Sequence, residues 1–245
     1  MRLAICGTAG QGKSTLVKAF LQRWNTFQTP KKTYRDVITE NGLDHSTATT
    51  DETQLTILNW MTEEMEKFPK GSHVIYDRTT LDNLAYTLVG NADGTIQDDV
   101  AAITIPVVKE SMKNLDIIFW LKYNPEIKIV DDDMRETDLE YIKKVDAMFE
   151  ELYNQYSDAL EHDLFFPKED CCAIIPIEED FLTVDDRLAW ISEFVDYKGD
   201  LIETTQSVLD TENLDDLEQM LKEQELQKGE DVKIKKLIDS IQKEQ

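Results

Sequence analysis

The sequence predicts an α/β fold in which helices flank a mostly parallel sheet, followed by an acidic, partly helical C-terminal tail. Two observations support this prediction. Short apolar runs of strand length alternate with amphipathic segments of helix length through residues 1–197. The composition then changes, because residues 198–245 are acidic and free of aromatic side chains. We therefore expect one α/β domain at 1–197 and a C-terminal extension at 198–245.

The chain begins with an apolar strand at residues 3–6, then a glycine-rich loop and a helix at residues 15–24. The loop reads Gly-Thr-Ala-Gly-Gln-Gly-Lys-Ser, the complete G-x-x-x-x-G-K-[ST] pattern of a phosphate-binding loop. Such a loop points backbone N–H groups at one anion, while its lysine reaches the terminal phosphates and its serine holds Mg²⁺. The predicted ATP-binding residues are Gly7, Thr8, Ala9, Gly10, Gln11, Gly12, Lys13, Ser14 and Thr15.

The later segments continue the alternation of strands and helices. We predict a weak second strand at residues 34–40, a helix from Thr50 to about residue 67 and a buried strand at residues 72–76. The remaining predictions are helices at 80–89, 98–113, 138–160 and 183–195, strands at 115–121 and 172–177, and a two-glycine loop at 90–95. Parallel strands joined by helices bring their carboxyl ends to one edge of the sheet, where ligands bind.

Composition narrows the class of protein. The chain has 245 residues and a formal net charge of −24, which disfavours general binding to duplex DNA. No apolar run approaches the roughly 20 residues of a membrane span, and the apolar stretch after Arg2 is too short for a signal peptide. We therefore expect a cytoplasmic protein without a membrane partner. Cys6, Cys171 and Cys172 lack metal-ligand spacing and are expected to be buried strand residues.

Asp77 and Arg78 follow the predicted strand at residues 72–76. An acid in this position binds Mg²⁺ or accepts the proton of an attacking hydroxyl. A neighbouring arginine fixes a phosphate or spreads charge in the transition state. The alternative is an Asp–Arg pair that caps the next helix. Because the phosphate loop and Asp77 both lie at the carboxyl ends of strands, we expect one site, with Ser14 and Asp77 as metal ligands.

The segment DRTTLDNLAYT, at residues 77–87, resembles the signature of thymidylate kinases, in which Asp-Arg is followed by a helix that ends in Leu-Ala-Tyr-Gln. The matching residues are Asp77, Arg78, Leu84, Ala85 and Tyr86, and Thr79 and Thr87 depart from the pattern. This resemblance implies a three-layer P-loop kinase fold. It also implies that the Asp-Arg pair handles the reactive end of the acceptor and that the following helix, with Asp82 and Tyr86, lines the acceptor pocket.

A second resemblance concerns the polar segment at residues 131–146. It is similar to the lid of phage and bacterial nucleoside or nucleotide kinases that carry this phosphate loop. By this resemblance Arg135 closes over ATP and stabilises the transferred phosphoryl group, a role worth a factor of roughly 10³ to 10⁵. The alternative is a surface arginine paired with its acidic neighbours. The predicted catalytic residues are Lys13, Asp77, Arg78 and Arg135, and the predicted cofactors are ATP and Mg²⁺.

The acceptor is predicted from the small number of arginines. Kinases that phosphorylate a monophosphate hold several phosphates at once and generally use many arginines to do so. This chain has few arginines that could lie in the site, which favours an acceptor with one phosphate or none at its reactive end. We predict a pyrimidine-type deoxynucleoside or nucleotide as acceptor, bound by Arg35, Gln54, Asp82 and Tyr86.

Two other functions remain open at this point. Some phage proteins similar to thymidylate kinases phosphorylate 5-hydroxymethyluracil within DNA, and such a protein would act in the host cytoplasm. Lys31, Lys32 and Arg35 would then form a basic channel for a flipped or single-stranded base. A nucleotide-dependent switch or ATPase is a more distant alternative, because the chain has no Asn-Lys-x-Asp base reader and Arg78 stands where motor ATPases have a second acid.

The C-terminal extension contains two short amphipathic stripes. One consists of leucines at residues 214–221 and the other of isoleucines and a leucine at residues 234–241. Each stripe is too short to form a stable helix alone in water. The extension is therefore expected either to pack on the α/β domain or to dock on a protein partner, and the sequence does not predict an oligomeric state.

Overall fold

The computed structural model describes residues 1–44, 46–129, 136–158, 160 and 162–202. The strands are β1 (Arg2–Gly7), β2 (Val74–Asp77), β3 (Ile117–Leu121) and β4 (Ala173–Ile177). The helices are α1 (Lys13–Arg23), α2 (Tyr34–Asn41), α3 (Asp51–Glu66), α4 (Thr80–Ala92), α5 (Asp98–Met112), α6 (Leu139–Ser157), α7 (His162–Phe165) and α8 (Val184–Ile191), with a 3₁₀ turn at Ser46–Ala48. Residues Met1–Leu201 form one compact unit.

The four strands form one parallel sheet in the order β2-β1-β3-β4. Leu3 at the centre of the sheet pairs with Ile75 on one side and with Ile117 on the other. All four carboxyl ends therefore lie at the same edge, so the loop after β1 and Asp77 at the end of β2 are neighbours. The α/β prediction, with a P-loop kinase fold and a mostly parallel sheet, is confirmed.

Alternate residues of β1 pack on opposite faces of the sheet, which gives the fold its three layers. Leu3 and Ile5 face a core formed with α1 and α8, whereas Ala4 and Cys6 face a core formed with α3, α4, α5 and α6. All four side chains are fully buried. The apolar runs predicted as buried parallel strands are confirmed for β2, β3 and β4. Cys172 is also buried and directly precedes β4, while Cys171 is half-buried.

One predicted strand is wrong, because residues 34–40 belong to helix α2. Thr33 caps this helix: its hydroxyl accepts from the N–H of Asp36, and the Asp36 carboxylate accepts from the N–H of Thr33 at 2.7 Å. Gly42 ends the helix in the left-handed conformation, with φ +62°. These local hydrogen bonds outweigh the weak apolar alternation that favoured a strand.

The predicted loop at residues 90–95 is also partly wrong. Helix α4 continues through Gly90 to Ala92. A Cβ at Gly90 would lie 2.6 Å from Cγ1 of Ile96, so the glycine allows the turn after the helix to fold back against it. The short helix α7 was not predicted.

The leucine and isoleucine stripes of the extension lie outside the described residues. Within the described residues, no helix is long and apolar enough to cross a membrane.

Candidate active site

The phosphate loop connects β1 to α1 with backbone conformations that favour glycine. Gly7 has φ +134°, and a Cβ there would lie 2.5 Å from the carbonyl oxygen of Leu121 on β3. Gly12 occupies the N-cap position of α1 with φ +82°. The loop therefore runs close to the sheet and delivers the amino terminus of a helix, which favours a bound anion.

Lys13 is almost fully buried at the start of α1. Its ammonium group donates a 2.8 Å hydrogen bond to the carbonyl of Gly7 and a second one to the carbonyl of Thr8. Burial lowers the pKa of Lys13 to about 7, and the positive charge of Arg78 adds to the shift. The loop thus holds this lysine within the space that the phosphates of a nucleotide would enter.

Ser14 and Asp77 are in direct contact at the carboxyl edge of the sheet. The Ser14 hydroxyl donates a hydrogen bond to the carboxylate of Asp77, although the two residues are 63 positions apart. A hydroxyl and a carboxylate are oxygen ligands of the kind that Mg²⁺ prefers, and Mg²⁺ typically takes only one or two protein ligands beside phosphate oxygens and water. The two predicted metal ligands therefore fit the ion, and the structure brings them together.

Arg78 has a backbone conformation that is rare for a residue with a side chain, with φ +78°. This turns its guanidinium back toward the phosphate loop, where it donates to the carbonyl of Gly7 at 3.3 Å and to Asp82 at 3.0 Å. The guanidinium also lies over the rings of Tyr34 and Tyr86, at 4.9 and 5.2 Å from their centroids. Burial disfavours its charge, but the neighbouring tyrosines and carboxylates together raise the pKa of Arg78.

Asp82 links the loop, the arginine and helix α4. One of its oxygens accepts hydrogen bonds from the N–H of Gly7 at 3.2 Å and from Arg78, and the other accepts from the N–H of Thr79 at 3.0 Å. The last bond completes the capping box of α4. Asp82, predicted to bind the acceptor, borders the cavity but is almost fully buried, so these contacts make it the residue that orients Arg78.

A cavity of about 280 Å³ extends from the phosphate loop past Asp77 and Arg78 to helices α3 and α4. At its far end the amide groups of Gln54 and Asn83 meet. Asn83 donates to the side-chain oxygen of Gln54 at 2.8 Å, and the Gln54 amide nitrogen donates to Thr49 at 2.7 Å. The side-chain oxygen of Asn83 is buried without a hydrogen-bond partner among the described residues. The sequence predicted Gln54 here and missed Asn83.

Two other predicted acceptor residues, Arg35 and Tyr86, also line this cavity. Tyr86 accepts a 3.4 Å hydrogen bond from Arg78, and burial raises the pKa of its phenol. Arg35 donates to the hydroxyl of Tyr34 at 3.2 Å. Tyr34 therefore contacts both Arg35 and Arg78, and no sequence pattern singled it out. Arg135, the predicted lid residue, lies outside the described residues.

A phosphate loop after the first strand, paired with an acid at the end of the neighbouring parallel strand, is the nucleotide site of P-loop proteins. A family model described as an AAA domain matches residues 2–161, which include both features. The chain belongs to the AAA domain family. No curated protein matches the chain.

Solved structures with the same fold share little sequence with this AAA domain. Deoxyadenosine kinase from M. mycoides, with the products dCMP and dCDP bound, is 17% identical with a TM-score of 0.59, and the match covers 79% of this chain and 97% of that one. The NadR protein in complex with NR is 15% identical with a TM-score of 0.56, over 82% of this chain and 52% of NadR. The domain thus spans about half the length of NadR, and these likenesses establish the fold.

The AAA domain also braces its phosphate loop from the opposite side. Arg187 of α8 donates a 2.7 Å hydrogen bond to the carbonyl of Gln11 and a 2.9 Å bond to the carbonyl of Phe181. The side-chain oxygen of Gln11 accepts from the N–H of Asn124, which follows β3. Arg187 is not among the predicted site residues, because its position in a closing helix gives no sign of contact with the loop.

Proposed function

We propose that this AAA domain is an ATP-dependent kinase that transfers the γ-phosphoryl group of ATP to a hydroxyl of a free, pyrimidine-type deoxynucleoside. The observation that carries the proposal is the continuous cavity of about 280 Å³. One end of it is lined by the phosphate loop and Asp77, and the other end by the paired amides of Gln54 and Asn83. A phosphoryl donor and a hydroxyl acceptor therefore have adjoining places.

In this proposal the residues of the loop hold the donor. The backbone N–H groups and Lys13 bind the β- and γ-phosphates, and Lys13 exchanges its present carbonyl partners for phosphate oxygens. Ser14 and Asp77 would hold Mg²⁺, which when bound neutralises charge on the phosphates. Asp77 is also the carboxylate next to the reacting end of the cavity, where it orients the acceptor hydroxyl and accepts its proton.

In this proposal Arg78 stabilises the negative charge that develops on the transferred phosphoryl group. Its contacts with Gly7 and Asp82 fix the guanidinium beside the loop before any ligand binds. A preorganised donor of this kind stabilises a transition state without reorganisation during the reaction. The strained backbone at Arg78 also indicates that the guanidinium is preorganised, because conformations of this type persist only where the surrounding structure holds them in place.

The far end of the cavity suits the edge of a base. Asn83 lines this end, its buried carbonyl oxygen has no hydrogen-bond partner among the described residues, and the amide nitrogen of Gln54 has a second hydrogen beside the one given to Thr49. Such an acceptor and donor are complementary to the hydrogen-bonding edge of a nucleobase. The deoxyadenosine kinase structures that contain deoxycytidine nucleotides support a deoxynucleoside acceptor. The preference for a pyrimidine rests on the resemblance of residues 77–87 to the thymidylate kinase signature.

The test is a screen with radiolabelled ATP and Mg²⁺ against four deoxynucleosides, their monophosphates and DNA that contains 5-hydroxymethyluracil. We expect label on deoxynucleosides, with most on a pyrimidine. Label only on the DNA would replace the acceptor that we propose, and ATP hydrolysis that no acceptor changes would identify an ATPase instead.

Two variants check the residue roles in the same assay. Asp77→Asn is expected to lose transfer by about 10² to 10⁴ while retaining ATP binding, as general-base loss does. Asp185→Asn, at an exposed position of α8, is the matched control and should keep full activity. Unchanged transfer by the Asp77 variant would show that this carboxylate takes no part in the transfer step.

A further inference from the structure

A second cavity, of about 430 Å³, lies on the other side of Asp77 and Arg78 from the acceptor cavity. It is enclosed by helix α1, the carboxyl-terminal half of α3, the end of β2 and the chain segment before α2. The residues that line both cavities are Ser14, Arg35, Met61, Asp77 and Arg78. The remainder of the second cavity is built from residues that the proposed phosphotransfer does not use.

The inner wall of this second cavity is apolar and partly aromatic. Val17, Met61, Met65 and Tyr76 are buried there, and Trp60 is half-buried. Aromatic rings and methionine sulfur atoms are polarisable surfaces against which a planar ring packs favourably. This wall therefore suits a flat, unsaturated group rather than a small hydrated ion.

The rim of the second cavity is cationic in a strongly acidic chain. Its charged lining residues are the four cations Lys18, Lys32, Arg35 and Arg78 and the two carboxylates Glu64 and Asp77, so the cavity has a net positive charge, whereas the chain as a whole carries a net charge of −24. Lys32 forms a 2.7 Å ion pair with Glu40, but no ion pair holds Lys18 within the described part of the chain. A local group of cations on an acidic surface concentrates anions at that place.

Two polar groups of the wall have no hydrogen-bond partner among the described residues. They are the indole N–H of Trp60 and the phenol hydroxyl of Tyr76, both buried. An indole N–H is a donor only, and a phenol hydroxyl donates or accepts. Both polar atoms are buried, so the wall offers a ligand the apolar faces of its rings rather than hydrogen-bond donors.

We propose that the second cavity binds a phosphate monoester carried on a planar ring, with the ring against Trp60 and Tyr76 and the phosphate at Lys18 and Arg35. The binding step does not depend on the proposed kinase reaction. The effect on phosphoryl transfer does rest on the proposed function, because the ligand occupies Arg35, which also lines the acceptor cavity. Occupation of the second cavity therefore lowers phosphoryl transfer.

The direct test measures binding of phenyl phosphate to the full chain saturated with Mg²⁺ and a non-hydrolysable ATP analogue, which fills the phosphate loop. Tryptophan fluorescence and calorimetry report binding, with phenol and inorganic phosphate as partial probes. We expect phenyl phosphate to bind at least tenfold more tightly than either partial probe. Binding that the ATP analogue displaces would place the ligand on the phosphate loop and overturn the proposal.

Variants locate the site independently of activity. Lys18→Ala is expected to weaken phenyl phosphate binding about five- to tenfold, and Trp60→Phe should remove most of the fluorescence change. Lys143→Ala, at an exposed lysine of α6, and Asn83→Ala, in the acceptor cavity, are controls that should bind the probe normally. If Lys18→Ala and Trp60→Phe fold normally by circular dichroism and both bind like the unmodified protein, the second cavity is not the site.

Discussion

The guanidinium of Arg187 donates a 2.7 Å hydrogen bond to the backbone carbonyl of Gln11, in the middle of the phosphate loop. The same guanidinium nitrogen would lie 3.4 Å from a Cβ at Gly12, so Arg187 packs against the loop directly behind the N-terminus of α1. Arg187 is almost fully buried, and burial lowers its pKa. Helix α8 therefore holds the loop in the curved form that presents its N–H groups.

Arg187→Met is expected to weaken ATP binding by about ten- to a hundredfold, because a hydrogen bond from a charged donor contributes roughly 1.5–3 kcal/mol. Methionine keeps much of the apolar contact of the side chain, so the change reports the lost bond to Gln11. Calorimetric titration with the ATP analogue measures it. Arg23→Met, at an exposed end of α1, is the control and should bind normally. Equal affinity in the two variants would show that α8 does not shape the loop.

Nucleotide binding by Lys13 is expected to take up a proton. Burial lowers the pKa of Lys13 to about 7 in the free protein, so at pH 8 the lysine is mostly neutral. Phosphate oxygens favour the charged form and raise its pKa again. We therefore expect uptake of close to one proton per nucleotide at pH 8, and an affinity that falls as pH rises above 7.

Calorimetry in two buffers of different ionisation enthalpy measures this uptake. Lys13→Arg is the matched variant, since a guanidinium remains protonated and should abolish the uptake at pH 8. An equal uptake in both proteins would assign the proton to another group, and no uptake in the unmodified protein would show that Lys13 is charged before the nucleotide binds.

Much of this fold is predictable because it is encoded locally. The apolar runs of β1, β2, β3 and β4 and the loop pattern between β1 and α1 are continuous in sequence. The error at α2 had a local signal too, since Thr33 and Asp36 have capping-box spacing and Gly42 follows the last turn. The weak apolar alternation of residues 34–40 favours a strand, but the capping residues stabilise a helix.

The site was predictable only where a motif carries it. Lys13, Ser14, Asp77 and Arg78 stand in such motifs, and the structure brings their side chains to one edge of the sheet. Arg187 and Gln11 are separated by 176 positions, and only the path of β4 and α8 across the sheet brings them together. Contacts of this kind depend on the tertiary fold, so no local pattern contains them.

Asn83 is expected to govern base selection. Asn83→Ala removes its unpartnered oxygen and also the 2.8 Å bond that orients the Gln54 amide. A site that loses a hydrogen bond to its substrate discriminates less between bases, so we expect the ratio of kcat/KM for the best and the worst deoxynucleoside to fall at least tenfold. Steady-state kinetics on all four deoxynucleosides measures it. Asn91→Ala, two turns along α4, should preserve the ratio, and a uniform loss for all bases would make Asn83 a structural residue.

Gly7→Ala is expected to destabilise the fold much more than Gly94→Ala. Both glycines have positive φ, at +134° and +77°, but a Cβ at Gly94 meets no atom within 4 Å. A Cβ at Gly7 would collide with the backbone oxygen of Leu121, which cannot move without disturbing β3. Thermal unfolding should show a decrease of about 2–8 °C for Gly94→Ala, from roughly 1–2 kcal/mol of strain. A decrease for Gly7→Ala no larger than this would mean that the loop moves away from β3.

Asp146 on α6 should make the stability of the domain depend on pH. Burial raises the pKa of Asp146 from 3.8 to about 6, and the 3.0 Å hydrogen bond from the N–H of Tyr123 opposes the shift. The folded state therefore binds more protons than the unfolded state between about pH 4 and 6, and the free energy of unfolding falls as pH rises through this window. Above about pH 6 Asp146 is ionised in the folded state as well, and the full loss in the free energy of unfolding is present.

Asp146→Asn keeps an oxygen for the N–H of Tyr123 but cannot ionise, so we expect it to be more stable than the unmodified protein at pH 7.5. The side chain is only partly buried and solvent screens its charge, so the expected gain is about 1 kcal/mol, or roughly 2–4 °C in Tm. The gain should shrink toward pH 4, where the aspartic acid is neutral in the fold. Thermal unfolding from pH 4 to 8 measures it, with Asp185→Asn at its exposed position as the control. A gain that is the same at pH 4 and pH 7.5 would attribute the effect to packing of the amide rather than to removal of a buried charge.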